Sequence, residues 1–528
     1  MCCGIDELRG AEDARGLREA FEEPLQLGQP SGFSVCHGRV QPTRDGGVVP
    51  DHNGFRFYMR HTKIIATVGP ASDSDTVLDT LISAGTDIIR LNFSHGTHET
   101  HGATLARVRA AATRAGREVA ILQDLSGPKI RTGPLQGGVA LDLQVGDELR
   151  IATGTFVGGP GRVSTSFEGL AESVRPGDRL LLADGAIELK VESTNGDEIQ
   201  TAVVEGGRLG QHKGISAPGV SLPASAITEK DIDDLNFGVS IGVDMVAVSF
   251  VQRAADMVRA RRLLARAGAP DMLLVAKLER PQALDDLEAI LDASDAVMVA
   301  RGDLGLEMPL ERVPRAQKQI TFAARVHGIP VIVATQVLES MTTGPRPTRA
   351  EVSDAANAVA DGVDAIMLAG ETAAGVYPGR TVQTLDAIIR EAESSPLSPP
   401  PVLPRRDEHE HAQALCEAAV TLAERGDAQA IVAITRGGKT ARRLSALRPR
   451  APIFALTDRA EMARRLALYR GVLPVCTDLS DQAEAAGPLI GRQLVSLGLV
   501  PRGATVVIVS INPDLTRTDA NYLRIRRV

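Results

Sequence analysis

Eight short apolar runs separated by helical stretches constrain this chain more than any other feature: TKIIATV, DIIRLNF, EVAILQD, VDMVAVSF, MLLVAKLE, DAVMVA, IPVIVAT and VDAIMLAG, all between Thr62 and Gly370. A strand covered on both faces reads as a continuous apolar run rather than an alternation, so these are expected to be buried parallel strands. Segments such as 256–267 and 281–291 carry helical periodicity and predict the crossovers between them. Strand and helix repeated eight times predict an α/β fold, a (β/α)8 TIM barrel formed by residues 60–133 and 221–393.

The rhythm breaks between the third and fourth runs. Residues 134–220 are rich in Gly, Val, Asp and Thr at short strand spacing, which predicts an inserted small β-barrel lid domain. Inserted after a strand's C-terminal end, it hangs over the barrel mouth, where it can close on a substrate and exclude water. The Pro- and Ser-rich segment 394–406 reads as a semi-rigid linker. Beyond it AIVAIT, PIFALT, GVLPV and ATVVIVS alternate with helical stretches, predicting a C-terminal open α/β domain over 407–528. Residues 1–59 show little periodicity and read as an extension with a helix near 11–22 and no legible role.

A chain of 528 residues is too long for one core. Its net charge of -8 comes from mixed signs, so no basic face for nucleic acid is expected. No apolar run approaches the roughly 20 residues of a membrane helix. Cys2, Cys3, Cys36, Cys416 and Cys476 form neither a disulfide framework nor a CxxC pair, which fits a reducing cytoplasm. Small-molecule chemistry is the better expectation.

Barrel enzymes carry reactive groups where strands end. Here the second run ends in Arg90, Asn92, Ser94 and His95, and the third in Asp124, with Lys129 and Arg131 just after. The fifth ends in Lys277 and Glu279, the sixth in Arg301 and Asp303, the seventh in Thr335. Glu279 and Asp303 lie on neighbouring strands, a pair suited to Mg2+, which takes one or two carboxylates and leaves its other positions to substrate and water. The competing reading is a pair of carboxylates salt-bridged to Lys277 and Arg301. Lys277 shares a strand face with Glu279 and would neutralise a transferring phosphoryl group; alone, a strand-end lysine is more often a solvated surface residue. Arg90 and Arg131 offer forks for phosphate oxygens, or else pair with rim carboxylates. In RGDLG (301–305), glycines flank the acidic residue and allow backbone amides to meet a carboxylate, although the motif alone is weak.

Taken together, TKIIATVGPAS, RLNFSHG, GPKIRTG, TEKDIDDLNFGV, VARGDLGLE, ATQVLESM, PTRAEVSDAANAV and GETAAGVYP resemble the pyruvate kinase family over residues 60–528. The resemblance implies phosphoryl transfer from phosphoenolpyruvate to ADP, with Mg2+, or Mn2+ in its place, on Glu279 and Asp303. It implies that Lys277 stabilises the phosphoryl group, that Arg90 contacts phosphate and that Thr335 lies near the protonation site. The backbone of Ala300, Arg301 and Gly302 would receive the substrate carboxylate beside Asp303. Asn92, His95, Arg131 and Lys213 fall on the nucleotide side. Asn92, Ser94, Asp124 and the backbone of Leu125 match a monovalent-cation site. Thr435, Arg436, Gly437, Gly438, Lys439 and Thr440 resemble a loop for a phosphorylated effector, against the plainer reading of a βα turn. A homotetramer is also implied.

Two departures stand out. This chain reads DLSGPKIR where many relatives read DTKGPEIR, so Lys129 replaces a glutamate beside the cation site. In the family the lysine form goes with independence of K+, and an ammonium in that pocket would repel the ion. At Gln211, His212 and Lys213, relatives commonly carry Ser-Lys-Lys, and Lys213 keeps the charge. Competing functions are a metal-dependent carbon–carbon lyase, which needs neither lid nor nucleotide groups, and a noncatalytic metabolite sensor, which would not need Lys277, Glu279, Asp303 and Thr335 intact.

Overall fold

The computed structural model describes residues 59–165, 167–220, 225–395, 410–477, 483–512 and 521–528. The helix expected near 11–22, most of the 394–406 linker, and Cys2, Cys3 and Cys36 lie outside them. All eight apolar runs form parallel strands, Lys63–Thr67, Ile88–Asn92, Ala120–Asp124, Met245–Val248, Leu273–Leu278, Ala296–Ala300, Val331–Ala334 and Ala365–Leu368, and they close into one barrel.

Strand period fixes which residues enter the barrel. Ile65, Ile88, Leu122, Val275, Met298, Ile332 and Met367 pack together in the interior, while Ile64, Ile89, Ile121, Ala276 and Val299 face the helical ring. The same parity carries Thr67, Arg90, Asn92, Asp124, Lys277 and Ala300 inward at the C-terminal ends. The register reinforces it, pairing Asn92 with Asp124 and Lys277 with Met298.

The opposite end has its own pattern. Every even-numbered barrel strand is preceded by an aspartate, Asp87, Asp244, Asp295 and Asp364. Each accepts the N–H of the odd strand before it, from Ile64 (2.9 Å), Ile121 (2.8 Å), Leu274 (3.0 Å) and Val331 (2.9 Å). Each also meets arginine: Asp87 meets Arg60 and Arg117, Asp244 meets Arg109 and Arg464, Asp295 meets Arg261, and Asp364 meets Arg448. Conserving charge balance at this floor matters because an unpaired buried charge costs several kcal/mol.

The insert carries strands from Leu141 to Ser216. Leu141–Leu143 pairs with Gly207–Leu209, and six others form a sheet in the order 215–216, 179–182, 187–194, 198–205, 148–153, 162–165. Leu149, Ile151, Val163, Leu189, Val191 and Ile199 form its separate core. Its two connections to the barrel are bonded to each other, Thr132 N–H to Lys213 O (2.8 Å) and Ile215 N–H to Ile130 O (2.9 Å).

In the C-terminal domain, four parallel strands, Ala430–Ile434, Ile453–Thr457, Val472–Cys476 and Thr505–Ser510, match the expected runs. A fifth, Tyr522–Arg527, adds antiparallel to Thr505–Ser510. Its sequence, YLRIRR, has no apolar run because it sits at the sheet edge, where charge is tolerated. Ala467 and Leu468 of this domain join the barrel's interior cluster. No helix among the described residues is long and apolar enough to cross a membrane.

Candidate active site

The inward parity of the strand ends gathers opposite charges at the mouth. Lys277, 8% exposed, lies 2.8 Å from Glu279 Oε1 and 3.1 Å from Asp124 Oδ1, and donates to Ser249 Oγ at 2.8 Å. Arg90 holds the other oxygen of Asp124 at 2.7 Å through Nε and Nη2, and its Nη1 reaches Thr67 Oγ1 at 3.1 Å. Burial opposes the Lys277 charge, but Asp124 and Glu279 outweigh it and raise the ammonium above its ordinary range. Burial also pushes against the Asp124 charge, and Lys277 and Arg90 overcome it, so this carboxyl stays below its usual value. Glu279 goes the other way: burial raises it, Lys277 opposes, and Asp303 adds to the rise. The site thus holds one firmly ionised carboxylate and one that a further cation would stabilise.

A cavity of about 60 Å³ lies above this pair, lined by Arg90, Asn92, Ser94, Lys129, Phe250, Lys277, Glu279, Met298, Ala300, Asp303, Thr335 and Met367. That is room for an ion with a few waters. Among the described residues no group of three or more His, Cys, Asp or Glu could hold a metal. The two carboxylates Glu279 and Asp303 fit a hard divalent ion that draws its remaining ligands from substrate and water.

Strained backbone shapes two walls. Phe250 (φ +56°) donates its N–H to Glu279 Oε2 at 2.8 Å, and Thr335 (φ +68°) and Gln336 (φ +52°) follow the seventh strand. Non-glycine residues in this region cost about 1–3 kcal/mol each and persist where the surroundings hold them. Gly127 is required beneath Phe250: it has φ +65°, and a Cβ there would fall 2.8 Å from the ring. Its N–H is anchored by Asp231, which also completes the Thr228 cap of helix Glu229–Ile241. Thr335 Oγ1 accepts from Gly302 N–H (2.7 Å) and donates to Ala334 O (2.6 Å), and Arg301 reaches Thr335 O and Asp354.

The groups matching a cation site are engaged within the protein. Asp124 is shared by Arg90 and Lys277, Leu125 O accepts from Ser249 (2.7 Å), and Asn92 Oδ1 accepts Ser94 N–H (3.1 Å). Lys129 faces the same cavity. The residue is exposed overall, yet desolvation first and repulsion from Lys277 second depress its pKa, against the pull of Asp303, Asp124 and Glu279.

Not all expected residues line the cavity, although the charges of Lys129, Arg131 and Arg90 still act on His95. His95 is exposed, and its carbonyl takes a bond from His101 at 2.8 Å. Arg131 turns to the lid junction and donates to His212 O (3.0 Å), beside exposed Lys213. Thr435 to Thr440 lie far along the chain in the C-terminal domain, where Gly438 (φ +76°) opens helix Lys439–Ala446, Thr435 and Thr440 are buried, and Arg436 stands 3.6 Å from Asp458. Ser249, Phe250 and Thr67 were not singled out from the sequence. They stand at the ends of the VDMVAVSF and TKIIATV runs, the same strand-end position that marks the other site residues.

Comparison with known proteins agrees with this geometry. The family model described as pyruvate kinase, barrel domain, matches residues 59–382, and the pyruvate kinase alpha/beta domain matches 413–526. A pyruvate kinase of Mycobacterium tuberculosis is 43% identical over 471 residues, 89% of this chain and 98% of that protein. One from Bacillus licheniformis is 41% identical over 86% of this chain and 78% of its own length. The crystal structure of a pyruvate kinase from Cryptosporidium parvum superposes with a TM-score of 0.81 at 33% identity, covering 89% of this chain and 96% of that one. With two domain models in order along one chain, relatives this similar over nearly their whole length, and the mouth chemistry just described, the chain belongs to the pyruvate kinase family.

Proposed function

We propose that this enzyme transfers the phosphoryl group of phosphoenolpyruvate to ADP at the barrel mouth, using Lys277, Arg90 and the Glu279–Asp303 pair. The observation that carries this assignment is the buried Lys277, fixed between Asp124 and Glu279 and aimed at the cavity. Glu279 and Asp303 would hold Mg2+ or Mn2+, which when bound supplies Lewis-acid charge neutralisation to the substrate oxygens. Phosphoryl transfer needs positioning and positive charge more than covalent chemistry. Lys277 and Arg90 supply both to the phosphoryl oxygens, and the backbone of Ala300, Arg301 and Gly302 meets the substrate carboxylate. The ester P–O bond breaks as a P–O bond forms to the terminal phosphate of ADP, leaving the enolate of pyruvate. A proton then reaches its methylene carbon through water ordered by Thr335, whose hydroxyl is too weak an acid to act unaided.

His95, Arg131 and Lys213 flank the nucleotide at the lid junction. Lys129 takes the place of a monovalent cation, so K+ is not required: its ammonium stands beside groups already satisfied by Arg90, Lys277 and Ser249. A phosphorylated effector is assigned to the Thr435–Thr440 turn, and the working form is a cytoplasmic homotetramer. A coupled assay with phosphoenolpyruvate, ADP and Mg2+, without Na+ or K+, tests the reading: ATP and pyruvate should appear in equal amounts. No ATP from phosphoenolpyruvate and ADP, with pyruvate released instead from a carbon–carbon cleavage substrate, would point to a lyase, and no turnover with or without K+ would point to a sensor.

A further inference from the structure

The floor of the barrel meets the C-terminal domain along a seam with more positive than negative charge. A narrow cavity there is lined by Arg325, Gly328, Ile329 and Pro330 from the barrel, Asp364 from its floor, and Arg442, Ser445, Ala446, Arg448 and Tyr469 from the C-terminal domain. Three guanidinium groups and one carboxylate line it, and a second carboxylate, Asp361, acts on Arg325 from outside the lining. The lining carboxylate is committed, since Asp364 Oδ2 accepts both Arg448 Nη2 and Val331 N–H at 2.9 Å. Arg325 lies flat against Gly362, where a Cβ would come within 2.9 Å of its guanidinium carbon, and donates to Asp361 O at 3.1 Å. Arg470 stands behind the wall with its own partner, Glu393, at 3.3 Å. Among the described residues, buried Arg448 Nη1 and Arg470 Nε have no hydrogen-bond acceptor.

A buried donor without an acceptor is costly, and an anion arriving in this cavity would supply one to Arg448 Nη1. The titration of the neighbours agrees in direction: burial first, then repulsion from Arg448, holds Arg325 below its ordinary value and brings Arg470 down to about 10. Planar guanidinium forks match the oxygens of a tetrahedral anion. The enclosed part is small, about 10 Å³. It admits one oxygen of such an anion, with the rest at the half-exposed rim formed by Arg442.

We propose that Arg442 and Arg448, with Arg325 behind them, form a binding site for a compact oxyanion, either free phosphate or the phosphoryl group of a small metabolite, that pins the C-terminal domain to the barrel floor. This site is separate from the mouth, at the opposite ends of the strands, and from the Thr435–Thr440 turn. It lies at the other end of helix Lys439–Ala446 from that turn.

Thermal unfolding of the full-length enzyme tests it, with inorganic phosphate in one arm, a sugar monophosphate in a second, and NaCl at matched ionic strength as reference. Wild type should show a saturable rise of about 2 °C or more over the reference. Arg448→Met and Arg442→Gln should each lose that rise in the phosphate arm, and the exposed Arg502→Gln, outside both this seam and the Thr435–Thr440 turn, should keep it. A response to phosphate alone identifies the free ion; a response to the sugar phosphate identifies a metabolite's phosphoryl group. If neither arm exceeds NaCl, or if both seam variants keep the full rise, the proposal is wrong. Should Arg448→Met fail to fold, crystals of the wild type soaked in selenate decide: an anomalous peak within hydrogen-bonding reach of Arg442 and Arg448 supports the site, and none there overturns it.

Discussion

Replacing Lys277 by methionine keeps the length of the side chain and removes one charge from a buried cluster. At an effective dielectric near 20, contacts of 2.8 and 3.1 Å correspond to about 5–6 kcal/mol of gross attraction each. Desolvation of the ammonium cancels much of this, and breaking a buried pair costs about 3–5 kcal/mol net. The loss is softened here because Asp124 keeps Arg90, and Glu279 keeps the Phe250 N–H and is already inclined to take a proton. The kinetic effect is larger than the structural one. A positioned donor to developing charge is worth about 3–4 kcal/mol, so kcat should fall about 10²–10³-fold while the KM for phosphoenolpyruvate moves only a few-fold. The coupled assay gives both constants, and a melting curve confirms folding. A folded variant retaining more than a tenth of the wild-type kcat would refute the role given to Lys277.

Three further outcomes are expected. Lys129→Glu should introduce a monovalent-cation requirement, seen as at least tenfold activation by K+ where wild type shows little; strong activation of the wild type itself would contradict the substitution of ion by ammonium. Asp244→Asn leaves Arg109 and Arg464 facing a neutral amide and should lower stability by about 2–4 kcal/mol in urea unfolding, with the kcat of the folded protein nearly unchanged. His61 is held down to about 4, by burial first and then by Arg470. In the unfolded chain it protonates near its ordinary value of 6.5, so its contribution is fully present above that pH and is lost as pH falls through about 4. The melting temperature should therefore drop across this window, and His61→Asn should flatten that part of the profile.

The barrel was legible because its strands are buried on both faces: an apolar run needs no partner to be recognised, and all eight were. The edge strand Tyr522–Arg527 was not, since half-exposed positions filled by arginine leave no such mark. At the mouth, parity along LLVAKLE places Lys277 and Glu279 on one face, and their 2.8 Å contact follows from that. The role of Phe250 is different in kind. Its N–H reaches Glu279 only because the backbone adopts φ +56° over a glycine more than a hundred positions earlier. No local pattern encodes a torsion imposed by tertiary packing. The seam was equally invisible, because Arg325, Arg448 and Asp364 have ordinary neighbours in sequence and become unusual only when two domains bring them together.

The four aspartates at the closed end of the barrel carry a consequence for the open end. Each grips the strand before its own, so the eight staves are held as four pairs whose alignment is set at their starting points. Along a five-residue stave a slip of one position is conserved to its far end, about 17 Å away. There it would turn Lys277 outward and bring Leu278 to face the mouth cavity. Catalytic aim is thus calibrated at the base of the molecule, by residues that never approach a substrate.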